Sequence, residues 1–496
     1  MWIVLDRIIV RAQARRLYVA VVEVPEEIAT LLRPIIEFVE TFSDLGRSGN
    51  AVDFSGGERD LMERIAALET GCLGRMLKAL DPVAPRVEVG GRTYRRMNNP
   101  NTSGKYFAMR GGLSLERGLY REEGVRNGPT IVPMELRAGI VEGLLTPAAA
   151  QGIAAVGQGV PSREGDAMCS RLGVLPYSRS EHFRSAIDVG ERWGEIRELY
   201  EDELVENMAI PTPTAAVSVA VDRVSLPIAE PRALTADDRK RGVQKPIAVA
   251  LRMAFSAVIT LYDGEGTPNC CIRYAHVPTG GAEVVEDALR HDLAIILRRR
   301  PDLTLVSLAD GAPEMQSILD RATAGLAVTA ALIDVWHLLE KLGEAATASG
   351  EDAKAIVPRF RSALLANDGA IDDIEVEVRT WALRYKPEEV PEKLHAAATY
   401  IKNNRERMRY ATAHAAGLPI GSGTVEATGK TIVETRMRRS GSRWDERGAQ
   451  PILHLRALST SSGARWGEAI AHVVASYTAE VKQLPARIKA AGRRSH

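Results

Sequence analysis

Cysteine is scarce in this chain, and its four cysteines lack the spacing of common metal or disulfide motifs. They are Cys72, Cys169, Cys270 and Cys271 among 496 residues, and no CxxC pair occurs. This pattern indicates neither a zinc ribbon nor a disulfide framework. A reducing cytosol is the environment that such cysteine usage favours.

Long apolar runs and an excess of charge of one sign are also lacking. The chain carries 64 basic and 64 acidic residues, so its overall charge gives no argument for a polyanionic partner. A nucleic-acid surface would have to come from local clusters of basic residues. No apolar run reaches the ~18 residues of a membrane span, and the N-terminal residues lack the order of a secretory signal peptide. We therefore expect a cytoplasmic protein with no membrane partner.

Changes of pattern along the chain predict a mainly helical N-terminal part followed by an α/β core. The core has three consecutive strands and then a helix–strand–helix–strand order, which is typical of a mixed sheet covered by helices. In chain order we predict a helical region (1–80), a small basic β-rich module (81–130), a helical, helix-turn-helix-like region (131–195), a linker (196–214), the first part of the core (215–339), a helical insertion (340–415), the second part of the core (416–470) and a C-terminal helix with a tail (471–496).

Two N-terminal segments are candidates for contacts with DNA. Residues 86–126 read as a small β-meander with nine basic and four acidic residues and with interleaved tyrosines. Such a sheet could contact a nucleic-acid backbone and its bases, or it could be a solvated hairpin. Further on, Ser162 and Ser180 are candidate caps of two short helices, a pair of the size of a helix-turn-helix. The basic candidates of these segments are Arg95, Arg96, Arg179 and Arg184, with His182 early on the second helix.

Three acidic residues occupy positions that suit a metal site. Asp222 lies at the end of the first core strand or just within it, Asp310 ends the fourth strand, and Glu426 lies in the first turns of a late helix. Ligands bind at strand ends in α/β sheets, and carboxylate oxygens suit hard divalent cations. Asp263 competes with Asp222, and Glu434, eight residues further on, competes with Glu426.

A cluster of basic residues follows Glu426 along the chain. If the helix continues through this cluster, its cations would stand beside the carboxylates and could bind phosphate. They could instead form a solvated charged face. The residues are Lys430, Arg436, Arg438, Arg439 and Arg443.

Four pieces of the core resemble, in this order, the DDE transposases of bacterial insertion sequences. They are SVAVDRVSL, LADGAPEM, DVWHLLEKL and the run Gly421–Trp444. The most similar group is the ISKra-type family, and Mutator-type transposases are related more distantly. The resemblance covers about residues 210–470 well and the N-terminal third weakly, and the cysteine pairs that some relatives carry in the β-rich region are missing.

The resemblance implies a fold, an activity and a set of partners. The fold would be a ribonuclease H-like mixed sheet with helices on both faces, interrupted by the helical insertion and preceded by a mainly helical DNA-binding region. The activity would be metal-dependent cleavage and strand transfer at the ends of an insertion sequence. The partners would be double-stranded DNA, as terminal inverted repeats and target, and further copies of the chain in the synaptic complex. The location would be the bacterial cytoplasm, at the nucleoid when DNA is bound.

The same resemblance implies the roles of the site residues. Two Mg²⁺ or Mn²⁺ ions would be held by Asp222, Asp310 and Glu426, with Asp222 bridging both, because two ions can clamp the attacking and leaving oxygens of an in-line phosphoryl transfer. Asp334 and His337 would be auxiliary residues near the active centre. Two alternatives stay open: a ribonuclease H-like nuclease or junction resolvase that cuts without joining, and a non-catalytic DNA-binding regulator.

Overall fold

A computed structural model describes residues 2–4, 8–10, 18–20, 23–48, 51–98 and 103–486. The protein is of the mixed α/β class and has several sheets. The chain divides into two compact units. Unit 1 consists of Met1–Gly157, Pro161–Val189 and His472–His496, and unit 2 consists of Gln158–Val160 and Gly190–Ala471. Residues 487–496 of the predicted tail lie outside the described residues.

Unit 1 begins with short strands and continues with two long helices. The strands are β1 (Trp2–Val4), β2 (Ile8–Val10), β3 (Tyr18–Ala20) and β4 (Glu23–Pro25), and they pair antiparallel as β1 with β4 and β2 with β3. The helices are α1 (Glu26–Arg47) and α2 (Phe54–Ala79). The helices of the predicted N-terminal region therefore begin only at Glu26. The valines and isoleucines before it favour strands over helices.

The small β-rich module of unit 1 contains two sheets. Its strands are β5 (Arg86–Val89), β6 (Arg92–Arg96), β7 (Ser103–Ala108), β8 (Gly111–Glu116), β9 (Tyr120–Glu122) and β10 (Thr130–Ile131). One sheet has the order β10-β9-β6-β5 followed by the C-terminal strand Lys482–Leu484, and β7 and β8 form a separate hairpin. Tyr94, Tyr106 and Tyr120 are buried in this module. They pack in its interior, so these tyrosines cannot stack on bases as the sequence suggested.

Four helices follow, and the last of them departs from the helix-turn-helix prediction. They are α3 (Pro133–Ala138), α4 (Pro147–Gly159), α5 (Ser162–Leu172) and α6 (Arg179–Asn207). The prediction of a short second helix is wrong because α6 runs for 29 residues and extends into the predicted linker as far as Asn207. No proline interrupts it, and its Glu, Leu and Arg residues are strong helix formers. His182 is buried, with Nε2 2.8 Å from the carbonyl oxygen of Leu175, so it does not face a ligand.

The main sheet of unit 2 is mixed, as the sequence predicted. Its strands are β11 (Thr214–Pro231), β12 (Ile247–Asp263), β13 (Pro268–His276), β14 (Thr304–Ala309) and β15 (Val328–Ile333), in the order β13-β12-β11-β14-β15. A short helix, α7 (Ala236–Lys240), lies between β11 and β12. The first three strands pair antiparallel, whereas β14 runs parallel to β11 and β15 parallel to β14. β12 and β13 form an antiparallel hairpin across the turn at residues 264–267.

Helices cover both faces of this sheet. Alternate residues of a strand point to opposite faces, so one strand contributes to the buried cluster on each face. On one face, Val217 and Val219 pack in a buried cluster with residues of α8 (Gly281–Arg299) and α9 (Pro313–Ala322). On the other face, Ala220 belongs to a cluster that includes Ala413 and Val425.

After β15 the chain enters a run of helices with its own buried cluster. They are α10 (Val335–Ala348), α11 (Ala353–Ala366), α12 (Ala370–Ala382), α13 (Glu392–Asn404) and α14 (Tyr410–Ala415). The helix of the run Gly421–Trp444 follows as α15 (Gly423–Gly429), one π-helical turn (Lys430–Glu434) and α16 (Thr435–Met437). The last helices are α17 (Glu446–Thr460) and α18 (Arg465–Ser476). None of the described helices has the length and apolar character needed to cross a bilayer.

Candidate metal centre

Asp222 lies inside β11, beyond the part of the strand that β14 covers. β12 pairs with β11 along its whole length and places Ser256 opposite Asp222. β14 pairs with β11 only over Ala216–Ala220. The backbone amide of Arg223 donates a hydrogen bond of 2.6 Å to Oδ1 of Asp222. The half-buried Asp222 side chain therefore lies where one edge of the strand becomes free.

Asp310 follows β14 directly and comes to the level of Asp222. In the parallel ladder Ala220 is the partner of Leu308, and Asp222 and Asp310 each lie two residues further along. Residues at equal distances from a paired position stay side by side on neighbouring parallel strands. Oδ1 of Asp310 accepts a hydrogen bond of 2.8 Å from the backbone amide of Ala312.

Tyr400 and Gly311 fix the backbone around Asp310. The hydroxyl of Tyr400, on α13, donates a hydrogen bond of 2.7 Å to the carbonyl oxygen of Asp310. Gly311 has φ of +89°, and a Cβ at this position would lie 2.6 Å from the Tyr400 ring. Burial first, and then the charges of Asp310 and Asp334, raise the pKa of Tyr400. The hydroxyl therefore stays protonated as a donor, and only glycine fits the turn.

Glu426 lies on α15, which packs closely against the main sheet. A Cβ on Gly429 would lie 2.5 Å from Cγ2 of Val224 on β11, so glycine is what permits this approach. Thr428 accepts a hydrogen bond of 3.2 Å from Nε of Arg273 on β13. Oε1 of Glu426 is 4.0 Å from Nδ1 of His337, which lies on α10.

The competing acids stand elsewhere. Glu434 lies roughly 12 Å further along the helix than Glu426, and it pairs with Arg438 at 2.6 Å. Asp263 ends β12 opposite Thr214. Its Oδ1 accepts hydrogen bonds from the amides of the turn that follows, at 3.0 and 2.8 Å. Asp263 thus caps a turn at the other end of the strand pair.

Asp334 is fully buried and caps α10. Its Oδ1 accepts hydrogen bonds from the amides of Trp336 at 2.6 Å and His337 at 3.3 Å. Its Oδ2 accepts from the amide of Ser422 at 2.5 Å and from the Ser422 hydroxyl. Burial alone would raise the pKa of Asp334, but its contacts with His337, Ser422 and Trp336 lower it. The strand β15 ends at Ile333, and this cap begins the helix that carries His337.

Negative charge accumulates around Asp222. Burial first, and then the carboxylates of Asp310 and Glu426, raise the pKa of Asp222, while the Arg223 amide and His337 oppose the rise. Asp334 is the main cause of a raised pKa of His337, to which Glu426 and Asp310 also contribute against burial. Like charges disfavour each other's ionised form, so a cation at this position would relieve the repulsion.

Three residues near Asp222 have their possible metal-ligand atoms close together. In Asp334, His337 and Glu426 these atoms lie within 4.8 Å of one another, whereas Asp222 and Asp310 are outside the group. Both oxygens of Asp334 already accept hydrogen bonds from backbone amides, which leaves it poorly available to a metal. Nδ1 of His337 is 3.7 Å from Asp334 and has no hydrogen-bond partner in the described chain. The oxygen donors Asp222, Asp310 and Glu426 fit Mg²⁺, and a histidine beside them also suits Mn²⁺.

The basic cluster after Glu426 does not continue the helix as predicted, because the helix ends at Met437. Arg436 is only 3% exposed, and its guanidinium lies 4.9 Å from the centre of the Trp444 ring. Arg436 therefore cannot contact a phosphate, because the chain folds back after the helix and Trp444 covers it.

The other cations of the cluster differ in their surroundings. Lys430 and Arg443 are exposed. Arg438 is exposed and pairs with Glu434, and Nε of Arg439 donates a hydrogen bond of 3.2 Å to the carbonyl oxygen of Thr435. Lys430 and Arg443 are the members of the cluster best placed to meet an anion.

The basic candidates of unit 1 stand on its surface. Arg95 is exposed on β6, directly opposite the exposed Arg121 of β9. Arg96 donates to a backbone carbonyl at 3.3 Å. Arg179 is exposed at the start of α6, and Arg184 is exposed one turn later and forms an ion pair of 3.2 Å. Arg121 was missed by the sequence reasoning, although its cross-strand position beside Arg95 makes a pair of adjacent cations.

Two residues that hold the centre together were also missed. They are Ser422 and Tyr400, which were not among the predicted site residues. Their partners lie 88 and 90 residues away in the chain, and no local pattern indicates such contacts. No family model, curated protein or solved structure gives a significant match to the chain.

Proposed function

We propose that the chain is a DDE-type transposase of a bacterial insertion sequence, of the ISKra-type that its motifs resemble. It would cleave DNA at the ends of the element and join those ends to a target by metal-dependent, in-line phosphoryl transfer. The observation that carries the proposal is the position of Asp222 beside Asp310 on neighbouring parallel strands, with the charge of Glu426 near enough to raise the pKa of Asp222.

The topology of unit 2 supports a ribonuclease H-like core. Three antiparallel strands are followed by two parallel ones, in the order β13-β12-β11-β14-β15. The helices α10 to α14 intervene between β15 and the helix of Glu426. This arrangement agrees with a catalytic core whose third carboxylate follows a helical insertion, and it also provides extra surface for binding DNA ends.

Asp222, Asp310 and Glu426 would hold the metal ions of this proposed site. When bound, two Mg²⁺ ions supply the positive charge that activates an attacking oxygen and stabilises a leaving one. The protein itself contributes position: Tyr400 and Gly311 fix the turn of Asp310, and Asp334 fixes the turn before α15. His337 holds a proton more tightly than an isolated histidine because it lies among the carboxylates.

The exposed cations would bind the DNA backbone. Lys430 and Arg443 stand near the helix of Glu426, and Arg95, Arg179 and Arg184 lie on the surface of unit 1. We infer double-stranded DNA as the partner, a homo-oligomer in the synaptic complex, and action in the bacterial cytoplasm. Each phosphate contact adds to the salt dependence of binding.

The decisive test uses the DNA that carries the gene together with its flanking sequence, incubated with the protein and Mg²⁺ or Mn²⁺. We expect nicks at defined ends and joining of those ends to target DNA. Asp222→Asn, Asp310→Asn and Glu426→Gln should each reduce both products by roughly a thousandfold or more, because metal clamping supplies most of the rate. The matched controls Asp263→Asn and Glu434→Gln make the same chemical changes outside the site and should retain activity.

Two outcomes would separate this function from its alternatives. Cleavage without joining of pre-cleaved ends would identify a nuclease or resolvase. DNA binding that is unaffected by a chelator, with no cleavage at any metal concentration, would identify a regulator. Full activity of Asp310→Asn would reject the site assignment itself.

A further inference from the structure

A large cleft lies between α9 and α13 in unit 2. Its volume is about 820 Å³. The residues that line it recur every three or four positions on both helices, which places them on the two facing sides. Helix faces that pack together are usually apolar. Here the facing sides carry polar groups instead: Gln316 and Asp320 on α9, and His395, Thr399 and Asn403 on α13.

The polar side chains of the lining include few groups that could bind a phosphate. Its one arginine, Arg407, is 3.6 Å from Asp320 and so is already paired. Among the described lining residues no lysine occurs, and Glu392 adds a further negative charge. A phosphodiester prefers free guanidinium or ammonium groups. The cleft therefore suits an uncharged polar group.

The amides of the lining match the edges of a nucleobase. Asparagine and glutamine can pair with two edge atoms of adenine at once. The side chain of Asn403 is exposed on α13. Nε2 of Gln316 donates to Asp320 at 2.6 Å, which fixes the orientation of its amide. The aromatic ring of Tyr400 also lines the cleft, and every base can stack on an aromatic ring.

The cleft begins one residue away from a proposed metal ligand. Gly311, which follows Asp310, and Tyr400, which donates to the carbonyl oxygen of Asp310, both line it. A DNA strand held through a metal ion at Asp310 would thus have the cleft within the reach of its next nucleotide. A base inside a duplex would have to leave the stack to enter it.

We propose that this cleft binds a single unpaired base of the DNA strand at the carboxylate site. The assignment rests on the proposed function, because it needs DNA beside Asp310. An extrahelical base next to the reacting phosphate would hold that nucleotide in register and would favour distorted ends over regular duplex.

The test compares two labelled duplexes of one sequence, of which one carries a single bulged adenine. Binding is followed by fluorescence anisotropy with Ca²⁺ in place of Mg²⁺, because Ca²⁺ also takes carboxylate oxygens as ligands, and duplexes without the ends of the element are used so that no cleavage occurs. The wild-type protein should bind the bulged duplex about tenfold more tightly, as expected for one base that is stacked and paired with an amide. In Asn403→Ala and His395→Ala, two changes at exposed positions, the ratio of the affinities should fall to about one. The control Asn207→Ala changes an exposed asparagine outside the cleft and should keep the ratio.

Equal affinities of the wild-type protein for the two duplexes would overturn the inference, as would a ratio retained in both cleft variants. Failure to bind either duplex would overturn it as well. The proposed function is tested separately by metal-dependent cleavage. A clear preference for the bulge in a protein that never cleaves would leave the cleft assigned and would reject the transposase.

Discussion

Ser422 donates two hydrogen bonds to one oxygen of Asp334, from its amide at 2.5 Å and from its hydroxyl. Asp334 directly follows β15, and Ser422 precedes the helix of Glu426, so the two residues join segments that the helical insertion separates in sequence. The backbone amide of Val335 donates to Ile420 at 3.1 Å and strengthens the same junction. The position of Glu426 relative to the sheet therefore depends on a buried carboxylate.

Asp334→Asn should destabilise the protein. The NH₂ group of asparagine would replace one carboxylate oxygen and would face N–H or O–H donors. Those buried donors would lose their acceptor. We expect the free energy of unfolding to fall by about 3 kcal/mol, as for a broken buried charged network. Urea denaturation followed by circular dichroism measures it.

The control is Asp352→Asn, which changes the exposed cap of α11, where Oδ1 accepts from the amide of Lys354 at 3.0 Å. This change should cost less than about 0.5 kcal/mol, because asparagine caps helices as well as aspartate does. Equal losses in Asp334→Asn and Asp352→Asn would contradict the role given to the buried cap.

Gly311→Ala should disturb the turn beside Asp310. Alanine at φ of +89° is strained, and its Cβ would overlap the ring of Tyr400. Backbone strain and overpacking together should cost at least about 2 kcal/mol of unfolding free energy. Thermal denaturation measures the change. Gly325→Ala separates the two causes, since Gly325 has φ of +82° with no atom within 4 Å. If both variants lose the same stability, the contact with Tyr400 is not restrictive.

Asp292 should make stability fall as the pH rises. Asp292 lies on α8 with no exposed surface and accepts a hydrogen bond of 2.5 Å from the hydroxyl of Tyr274. Burial is the main cause that raises the pKa of Asp292 to about 7. The hydrogen bond from Tyr274 and the charge of Arg197 offset this burial only in part, and Arg465, 3.7 Å away, is itself paired with Glu201. The folded state thus binds a proton that the unfolded state releases near pH 3.8.

The sign of this effect follows from proton linkage. A raised folded-state pKa gives stability that is present below pH 3.8 and is lost as the pH rises through about 7. Asp292→Asn removes this loss, so its stability relative to wild type should rise by up to about 4 kcal/mol between pH 3.5 and pH 8. Urea denaturation across this range measures the difference. Asp287→Asn, on the exposed side of the same helix, should show no such trend. A pH-independent difference for Asp292→Asn would show that Asp292 is ionised when folded.

Arg436 and Arg443 should have opposite roles although they belong to one basic cluster. Arg436→Ala removes a buried cation from the Trp444 ring and should cost about 2 kcal/mol of unfolding free energy. Arg443→Ala, at an exposed position, should leave stability unchanged within about 0.5 kcal/mol. It should weaken DNA binding and reduce the slope of log K against log salt concentration by about one. Loss of DNA affinity in a fully stable Arg436→Ala protein would reverse the assignment.

The elements that the sequence predicted best are those with local signals. The predicted helix–strand–helix–strand order is found as α8, β14, α9 and β15, because apolar periods of helices and strands can be read locally. The order Asp222, Asp310 and Glu426 was also visible, because apolar strands and a Gly/Ser turn precede these acids.

The features that escaped prediction depend on distant partners. β11 continues well beyond Asp222 because β12 still pairs with it, and the sequence of β11 does not indicate where β14 stops. Arg436 is buried by a tryptophan that returns from a later turn. α6 extends into the segment predicted as a linker, because the strong helix formers around Gly190 and Gly194 sustain the helix.

The π-helical turn at Lys430–Glu434 alters the alignment of charges along the helix of Glu426. In a regular α-helix, residues four apart drift around the axis by about 40° per step, so Arg438 would stand about 120° away from Glu426. A π-helical turn contains one extra residue, which cancels about 100° of that drift. By this geometry Glu426, Lys430 and Glu434 lie near one side of the helix, and Arg438, which caps its end, pairs with Glu434 at 2.6 Å. Deleting a single residue within this turn would keep the helix but rotate the residues beyond the turn relative to Glu426, so one inserted residue determines which charges share a side.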